Sequence, residues 1–248
     1  MRVFCLPYAG AGALAYRSWQ NSGVAPAGMA LWPIQLPGRE DRIREPPFRS
    51  MHSLVESLTD VMQELTELPF ALFGHSMGAL IAFELVRSLR RRGLPQPCHL
   101  IVSGAGAPHL PRRAPVHDIP DDEVLISRLL ELNGTRPEVF ADRELRRLIL
   151  PLVRADFSVC ETYRCAEGTP LNCPVTAYGG AHDDSVSMAA LAAWKVHTLA
   201  TFQMHILPGD HFFIGKQWPL LRRQLMDLFR RIFASDALRA PLEQAVGP

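Results

Sequence analysis

A serine between two glycines, Gly74-His75-Ser76-Met77-Gly78, is the side chain of this 248-residue protein best placed to act as a nucleophile. Phe70-Ala71-Leu72-Phe73 precedes it, a short apolar segment suited to a buried strand. Residues 79–92 follow, with Leu80, Ile81, Leu85, Val86 and Leu89 at helical spacing and a stop at Gly93. A strand that enters a helix through Gly-x-Ser-x-Gly must turn sharply, and the turn lifts the serine hydroxyl above the sheet. The helix N-terminus beneath it offers a free N–H and partial positive charge where an oxyanion would form.

A serine hydroxyl is a weak nucleophile and needs a base, itself held by an acid. The last expected strand runs into Leu207-Pro208-Gly209-Asp210-His211-Phe212-Phe213, which places His211 in a loop as the candidate base. His205 falls within that strand and His197 before it, so both read as structural, and His75 reads as packing. The preceding strand, residues 174–178, ends in Gly179-Gly180-Ala181-His182-Asp183-Asp184, and spacing does not separate the two aspartates as the acid. Asp210 adjoins His211 and reads as a loop cap. An oxyanion hole would take one backbone N–H from Met77 and one from the loop Pro7-Tyr8-Ala9-Gly10. Ala9 is the expected second donor, with Tyr8 as its competitor.

Those loops need a sheet to carry them. Apolar segments at residues 3–6, 30–36, 70–73, 99–103, 174–178 and 203–207 alternate with helical patterns, which predicts a parallel sheet covered on both faces. Ser53 with Glu56 reads as a capping box opening a helix whose face is Leu54, Val55, Leu58, Val61, Met62 and Leu65. Between about residues 107 and 172 the rhythm breaks. Four prolines (Pro108, Pro111, Pro115, Pro120) lead into two helical stretches, residues 121–132 before Gly134 and 141–163, the second containing Pro151, which should kink it. An insertion there, downstream of the nucleophile, is where a lid would sit. The expected architecture is thus a single α/β-hydrolase domain over residues 1–248, with a helical lid at about 107–172. An amphipathic helix ends it, with a frayed tail from about 235.

Composition excludes little but adds bounds. The formal net charge is +1, so nothing global points to nucleic acid. Paired and tripled arginines (90–92, 112–113, 146–147, 222–223, 230–231) read as solvated helix faces, or alternatively as a dock for an acidic partner. Five cysteines, an odd number with no Cys-x-x-Cys spacing, suggest neither a disulfide framework nor a zinc site. Cys5 and Cys98 read as core thiols. There is neither a signal-peptide layout at the N-terminus nor an apolar run of spanning length. A cytoplasmic monomer with no membrane partner, metal or cofactor is expected.

Several motifs together resemble the stand-alone type II thioesterases of polyketide and nonribosomal peptide assembly lines, within the α/β-hydrolase superfamily. They are Leu6-Pro7-Tyr8-Ala9-Gly10-Ala11-Gly12, Pro37-Gly38-Arg39-Glu40, the Ser76 pentapeptide and Leu150-Pro151-Leu152-Val153-Arg154-Ala155-Asp156-Phe157. Glu161-Thr162-Tyr163, Gly179-Gly180-x-x-Asp183, Trp194-x-x-His197-Thr198 and Gly209-Asp210-His211-Phe212-Phe213 complete the set, in order along nearly the whole chain. Ala11 stands where the family often has glycine. The resemblance selects Asp183 over Asp184 as the acid. It implies hydrolysis of acyl groups held as thioesters on the phosphopantetheine arm of acyl or peptidyl carrier proteins, through an acyl-Ser76 intermediate, as an editing step. A carboxylesterase, an acyltransferase or a non-catalytic carrier-binding module are the alternatives.

One lid residue stands out. Along Leu145, Leu148, Ile149, Leu152 and Val153 the next same-face position is Asp156. A carboxylate on an apolar face requires a partner. It reads as a hydrogen bond or ion pair tying the lid helix to the core, so alanine there should cost stability more than turnover; the alternative is a role at the pocket mouth.

Overall fold

Residues 1–111, 117–131 and 137–243 are described in the computed structural model, with side chains to residue 234. Arg112, Arg113, Pro115 and Gly134 lie outside them. The strands are β1 (Arg2–Leu6), β2 (Ala30–Pro33), β3 (Phe70–His75), β4 (His99–Ser103), β5 (Val175–Gly180) and β6 (Phe202–Leu207). They form one parallel sheet in the order β2-β1-β3-β4-β5-β6. Apart from half-buried Arg2, β1, β3, β4 and β5 are buried at every residue, which is why they read as unbroken apolar runs rather than alternating ones. β6 is an edge strand and exposes Gln203 and Met204.

The helices are α1 (Arg17–Gln20), α2 (Met51–Leu65), α3 (Met77–Arg91), α4 (Asp122–Glu131), α5 (Pro137–Ala141), α6 (Arg143–Glu161), α7 (Met188–Ala192), α8 (Phe213–Lys216) and α9 (Trp218–Glu243). Successive strand residues point to opposite faces, and two cores result. Phe4, Leu6, Leu72 and Val102 pack with α2 and α3 (Leu54, Val55, Leu80, Phe83) on one face. Val3, Cys5, Phe73 and Ile101 pack with Tyr16, Trp19 and α9 (Leu221, Leu225, Phe229) on the other. Trp19 and Trp218 stack there at 4.6 Å. A third cluster joins α4, α5 and α6 through Leu125, Ile126, Phe140, Leu150 and Val153, giving the insertion between β4 and β5 a small core of its own.

Several local expectations change. α2 starts at Met51 with Ser50 in the capping position, so Ser53 lies inside the helix and forms no capping box with Glu56. Glu56 is drawn instead to the far end of α3, where it accepts from Ser88 and pairs with Arg92. Val61 is exposed, because Thr59, donating to the Val55 carbonyl, takes the inward position. On α6, Leu145 and Leu148 are also exposed, and the buried face begins at Leu150. α6 continues through Pro151. Cys98 lies just before β4 and is only half-buried, while Cys5 is fully buried. The last helix, α9, is described from Trp218 to Glu243.

Candidate active site

Ser76 joins β3 to α3 with φ 54° and ψ −115°, a conformation that costs a non-glycine residue about 1–3 kcal/mol. The surroundings explain how it is held. A Cβ on Gly74 would collide with the carbonyl of Gly78, and one on Gly78 with the carbonyl of Leu6 at the end of β1. Only glycines let the chain double back this tightly. The Ser76 N–H donates to the Ser103 carbonyl at 2.7 Å, which fixes the turn to the end of β4. The hydroxyl therefore stands at the carboxyl edge of the sheet, where open parallel sheets form their binding crevice.

The loops after β5 and β6 meet the serine there. His211 Nε2 lies 3.0 Å from Ser76 Oγ, and His211 Nδ1 lies 2.8 Å from Asp183 Oδ2. The Asp183 side chain is 1% exposed, and its other oxygen accepts the Ser185 N–H at 2.8 Å. That fixed carboxylate sets the histidine tautomer: Nδ1 carries the proton and Nε2 is free to take one from the serine. Asp184, adjacent in sequence, is exposed. Gly180 belongs to the same construction, since a Cβ there would strike the backbone of Gly209 and Asp210. It lets the two loops approach closely enough for Asp183 to reach His211.

The first residue of α3, Met77, and Ala9 in the loop after β1 both border the cavity at Ser76. Among the described residues neither N–H donates to a protein acceptor. The next N–H along the loop is committed: Gly10 donates to Asp156 Oδ2 at 2.7 Å. Asp156 is 2% exposed and forms a bidentate pair with Arg39, at 2.8 and 2.9 Å. Burial pushes the Asp156 carboxyl upward in pKa, while Arg39 and the Gly10 N–H pull it down. An ion pair tying α6 to the rest of the protein is thus present, and the partner of Asp156 lies 117 residues away in the Pro37-Gly38-Arg39-Glu40 turn. The sequence alone assigns Arg39 no role in that turn. An arginine beside a Pro-Gly turn facing a lone aspartate in a helix was the available signal, but the separation hid the pairing.

The other groups fall outside this chain of hydrogen bonds. His75 is buried behind His211 and hydrogen-bonded to Ser103 Oγ at 3.0 Å. Burial and then the neighbouring His211 push its pKa well down, so it stays neutral. His205, in β6, stacks on Tyr178 of β5. His197 pairs with His109 at 2.7 Å and packs on Phe83 and Trp194. Asp210 caps its own loop at the Phe212 N–H and pairs with Lys216. Of the paired arginines, Arg90 holds the Thr169 and Pro170 carbonyls, and Arg222 holds that of Ser22. Arg92 binds Glu56 and Asp60, while Arg146 binds Glu123. Structure employs these side chains.

A cavity of about 590 Å³ opens onto Ser76 and His211. Small residues (Ala105, Gly106, Ala107) line it close to the end of β4, and Leu80, Leu110 and Phe157 add apolar surface from α3, the following loop and α6. Its walls therefore combine the sheet edge with the inserted helices. An acyl chain would be desolvated there while its carbonyl lies beside a serine hydroxyl and an imidazole. That combination suits acyl transfer. Among the described residues no group of three or more His, Cys, Asp and Glu is placed to hold a metal ion, and no helix is long and apolar enough to cross a membrane.

Comparison with known proteins agrees with this geometry. The family model described as "Thioesterase domain" matches residues 1–230. The sequence is 44% identical over 214 residues to the gramicidin S biosynthesis protein GrsT of Aneurinibacillus migulanus, covering 86% of this chain and 83% of that protein. In structure it matches RedJ, a thioesterase of the prodiginine pathway in Streptomyces coelicolor, with TM-score 0.85 and 39% identity over 92% of this chain and 89% of that one. It also matches YbtT, a type II thioesterase of the yersiniabactin NRPS/PKS pathway, with TM-score 0.82 and 34% identity over 94% and 93% of the two chains. The fold is that of the α/β-hydrolases.

Proposed function

This chain belongs to the thioesterase domain family, and from that premise we propose that it is a type II editing thioesterase, with Ser76, His211 and Asp183 as its catalytic residues. Its substrates are acyl groups stalled or misloaded on the phosphopantetheine arm of carrier proteins in a polyketide or nonribosomal peptide synthase. One observation carries the reading: the Ser76–His211–Asp183 hydrogen-bonded chain opens onto a largely apolar cavity. The similarity to GrsT, RedJ and YbtT supports the carrier-bound substrate class.

The proposal implies a definite sequence of steps. Ser76 Oγ attacks the thioester carbonyl carbon as its proton passes to His211 Nε2, 3.0 Å away. Asp183 steadies the resulting imidazolium at Nδ1. The carbonyl oxygen, now an oxyanion, accepts from the N–H groups of Met77 and Ala9. The C–S bond then breaks, and the pantetheine sulfur leaves as a thiol carrying the proton from His211. Water adds to the Ser76 ester while His211 takes its proton. The C–Oγ bond breaks, Ser76 recovers the proton, and the free acid departs. The protein itself supplies no cofactor in this scheme. The same reading carries the expectation of a cytoplasmic monomer without nucleic-acid or membrane partners.

Substrate preference tests it. Hydrolysis of an acyl group loaded on a carrier protein is expected to exceed that of the matching oxygen ester in kcat/KM by at least about tenfold, or about 1.4 kcal/mol in the transition state. Equal or better turnover of the oxygen ester would favour a carboxylesterase.

A further inference from the structure

Two sequence motifs to which the mechanism gives no chemical step converge on the loop that carries Ala9. The Pro37-Gly38-Arg39-Glu40 turn, the Asp156 segment of α6 and the glycine-containing loop after β1 meet beside Ala9. Arg39 grips Asp156 through Nη1 and Nη2 and, also through Nη1, donates to the Ala11 carbonyl at 2.9 Å. Asp156 accepts the Gly10 N–H at 2.7 Å. The loop is thus held on both sides of the Gly10–Ala11 peptide unit by a single ion pair whose side chains are 4% and 3% exposed. Glu40, at φ 50°, accepts the Leu14 N–H, and Gln35 accepts that of Ala13 while donating to the Arg39 carbonyl. Gly10 has φ 77°, and a Cβ there would lie 3.4 Å from Val153 Cγ2, so α6 also packs directly against the loop.

We propose that Arg39 and Asp156 are positioning residues for the oxyanion hole, fixing the Ala9–Gly10 backbone so that the Ala9 N–H points at the developing oxyanion. This rests on the thioesterase reading of Ser76 above. The physical reason is directional. An N–H donor contributes to catalysis only when aimed at the place the oxyanion will occupy, and a peptide beside a positive-φ glycine has no intrinsic preference for that aim. A bidentate guanidinium fixes the plane of the carboxylate, and the carboxylate fixes Gly10. Asp156 sits on α6, so the seating of the inserted helix and the placement of the donor depend on the same side chain. The expectation that Asp156 serves stability more than turnover left out Gly10, whose contact makes it serve both.

Two double variants separate positioning from stability. Buried ion pairs replaced together by apolar groups are often tolerated, whereas removal of one partner strands the other charge. Arg39→Met with Asp156→Leu removes the pair and the acceptor for Gly10. Arg39→Met with Asp156→Asn removes the pair but retains an amide oxygen for Gly10. The first is expected to lower kcat about 100-fold with KM within about threefold, in line with a displacement of about 1 Å in a catalytic group. The second should recover at least about tenfold of that loss. A trifluoromethyl ketone, which forms a tetrahedral adduct on Ser76 and places an oxyanion in the hole, should lose affinity in parallel with kcat. Arg39→Lys, which preserves charge without the fork, supplies a milder third variant if either double variant fails to fold. Wild-type kcat and wild-type inhibitor affinity in any folded variant of Arg39 would overturn the proposal. Ser76→Ala in the same assay distinguishes the two levels: activity surviving there sinks the thioesterase reading itself, whereas its loss beside fully active clamp variants sinks only the positioning role.

Discussion

Replacing Ser76 by alanine is expected to lower kcat for carrier-bound thioesters by at least about 10⁴-fold, with a fold and melting temperature close to those of the unaltered protein. The attacking oxygen is lost outright, and serine hydrolases stripped of the nucleophile lose up to about 10⁶-fold in kcat. The backbone should be unaffected, because the contact that fixes the elbow is the Ser76 N–H to the Ser103 carbonyl, which alanine retains. The positive φ at Ser76 is held by the clasp of Gly74 and Gly78 rather than by the side chain. Circular dichroism and single-turnover hydrolysis of one loaded carrier measure both halves of this expectation. Loss of activity with a collapsed fold would leave the nucleophile unidentified; a folded variant with near-normal turnover would assign the chemistry elsewhere.

Asp183→Asn carries the second largest effect, a fall of about 10⁴-fold in kcat with little change in structure. The carboxylate has two fixed donors, the Ser185 N–H on one oxygen and the His211 Nδ1–H on the other. An asparagine fits the space but has one acceptor. If its oxygen takes the Ser185 N–H, its amide group faces Nδ1, and the imidazole must turn its acceptor nitrogen that way. The proton then resides on Nε2, where the ring can no longer accept from Ser76. Asp184→Asn, at the exposed neighbour, should change kcat less than about twofold, because the bonds to the Ser185 N–H and to His211 are made by Asp183. Steady-state kinetics on the pair separates two adjacent aspartates that spacing alone leaves equivalent.

How much was legible beforehand follows from the range of the interactions concerned. Local signals served well: the apolar runs become the buried strands β3 and β4, and Gly-x-Ser-x-Gly becomes a strained turn into α3. His211 lies within hydrogen-bonding reach of Ser76 because loops that follow parallel strands all emerge at the same sheet edge, so chain order restricts the choice. Asp183 required either the family pattern or coordinates, since both aspartates occupy the same turn. Helix ends were less readable. Ser53 and Glu56 have capping-box spacing, yet Arg92 and Ser88 on α3 compete for the glutamate and the helix begins earlier. Helical periodicity implied that Leu145 and Leu148 would share the buried face of α6, but burial in that helix starts at Leu150, where it joins the cluster with α4 and α5. Arg39 escaped altogether. Nothing within a turn reveals that its guanidinium closes on a carboxylate 117 residues later.

The central claim is covalent: an acyl group leaves a carrier thioester and resides on Ser76 before water releases it. The most direct measurement is rapid quenching of the enzyme with an acyl-loaded carrier protein, followed by mass spectrometry of both proteins and peptide mapping of the enzyme. The account predicts that the carrier loses the acyl mass while the peptide holding Ser76 transiently gains it, and that free acid appears as the adduct decays. Discharge of the carrier with the acyl group on another residue, or release of acid at full rate from the Ser76→Ala protein, would contradict it.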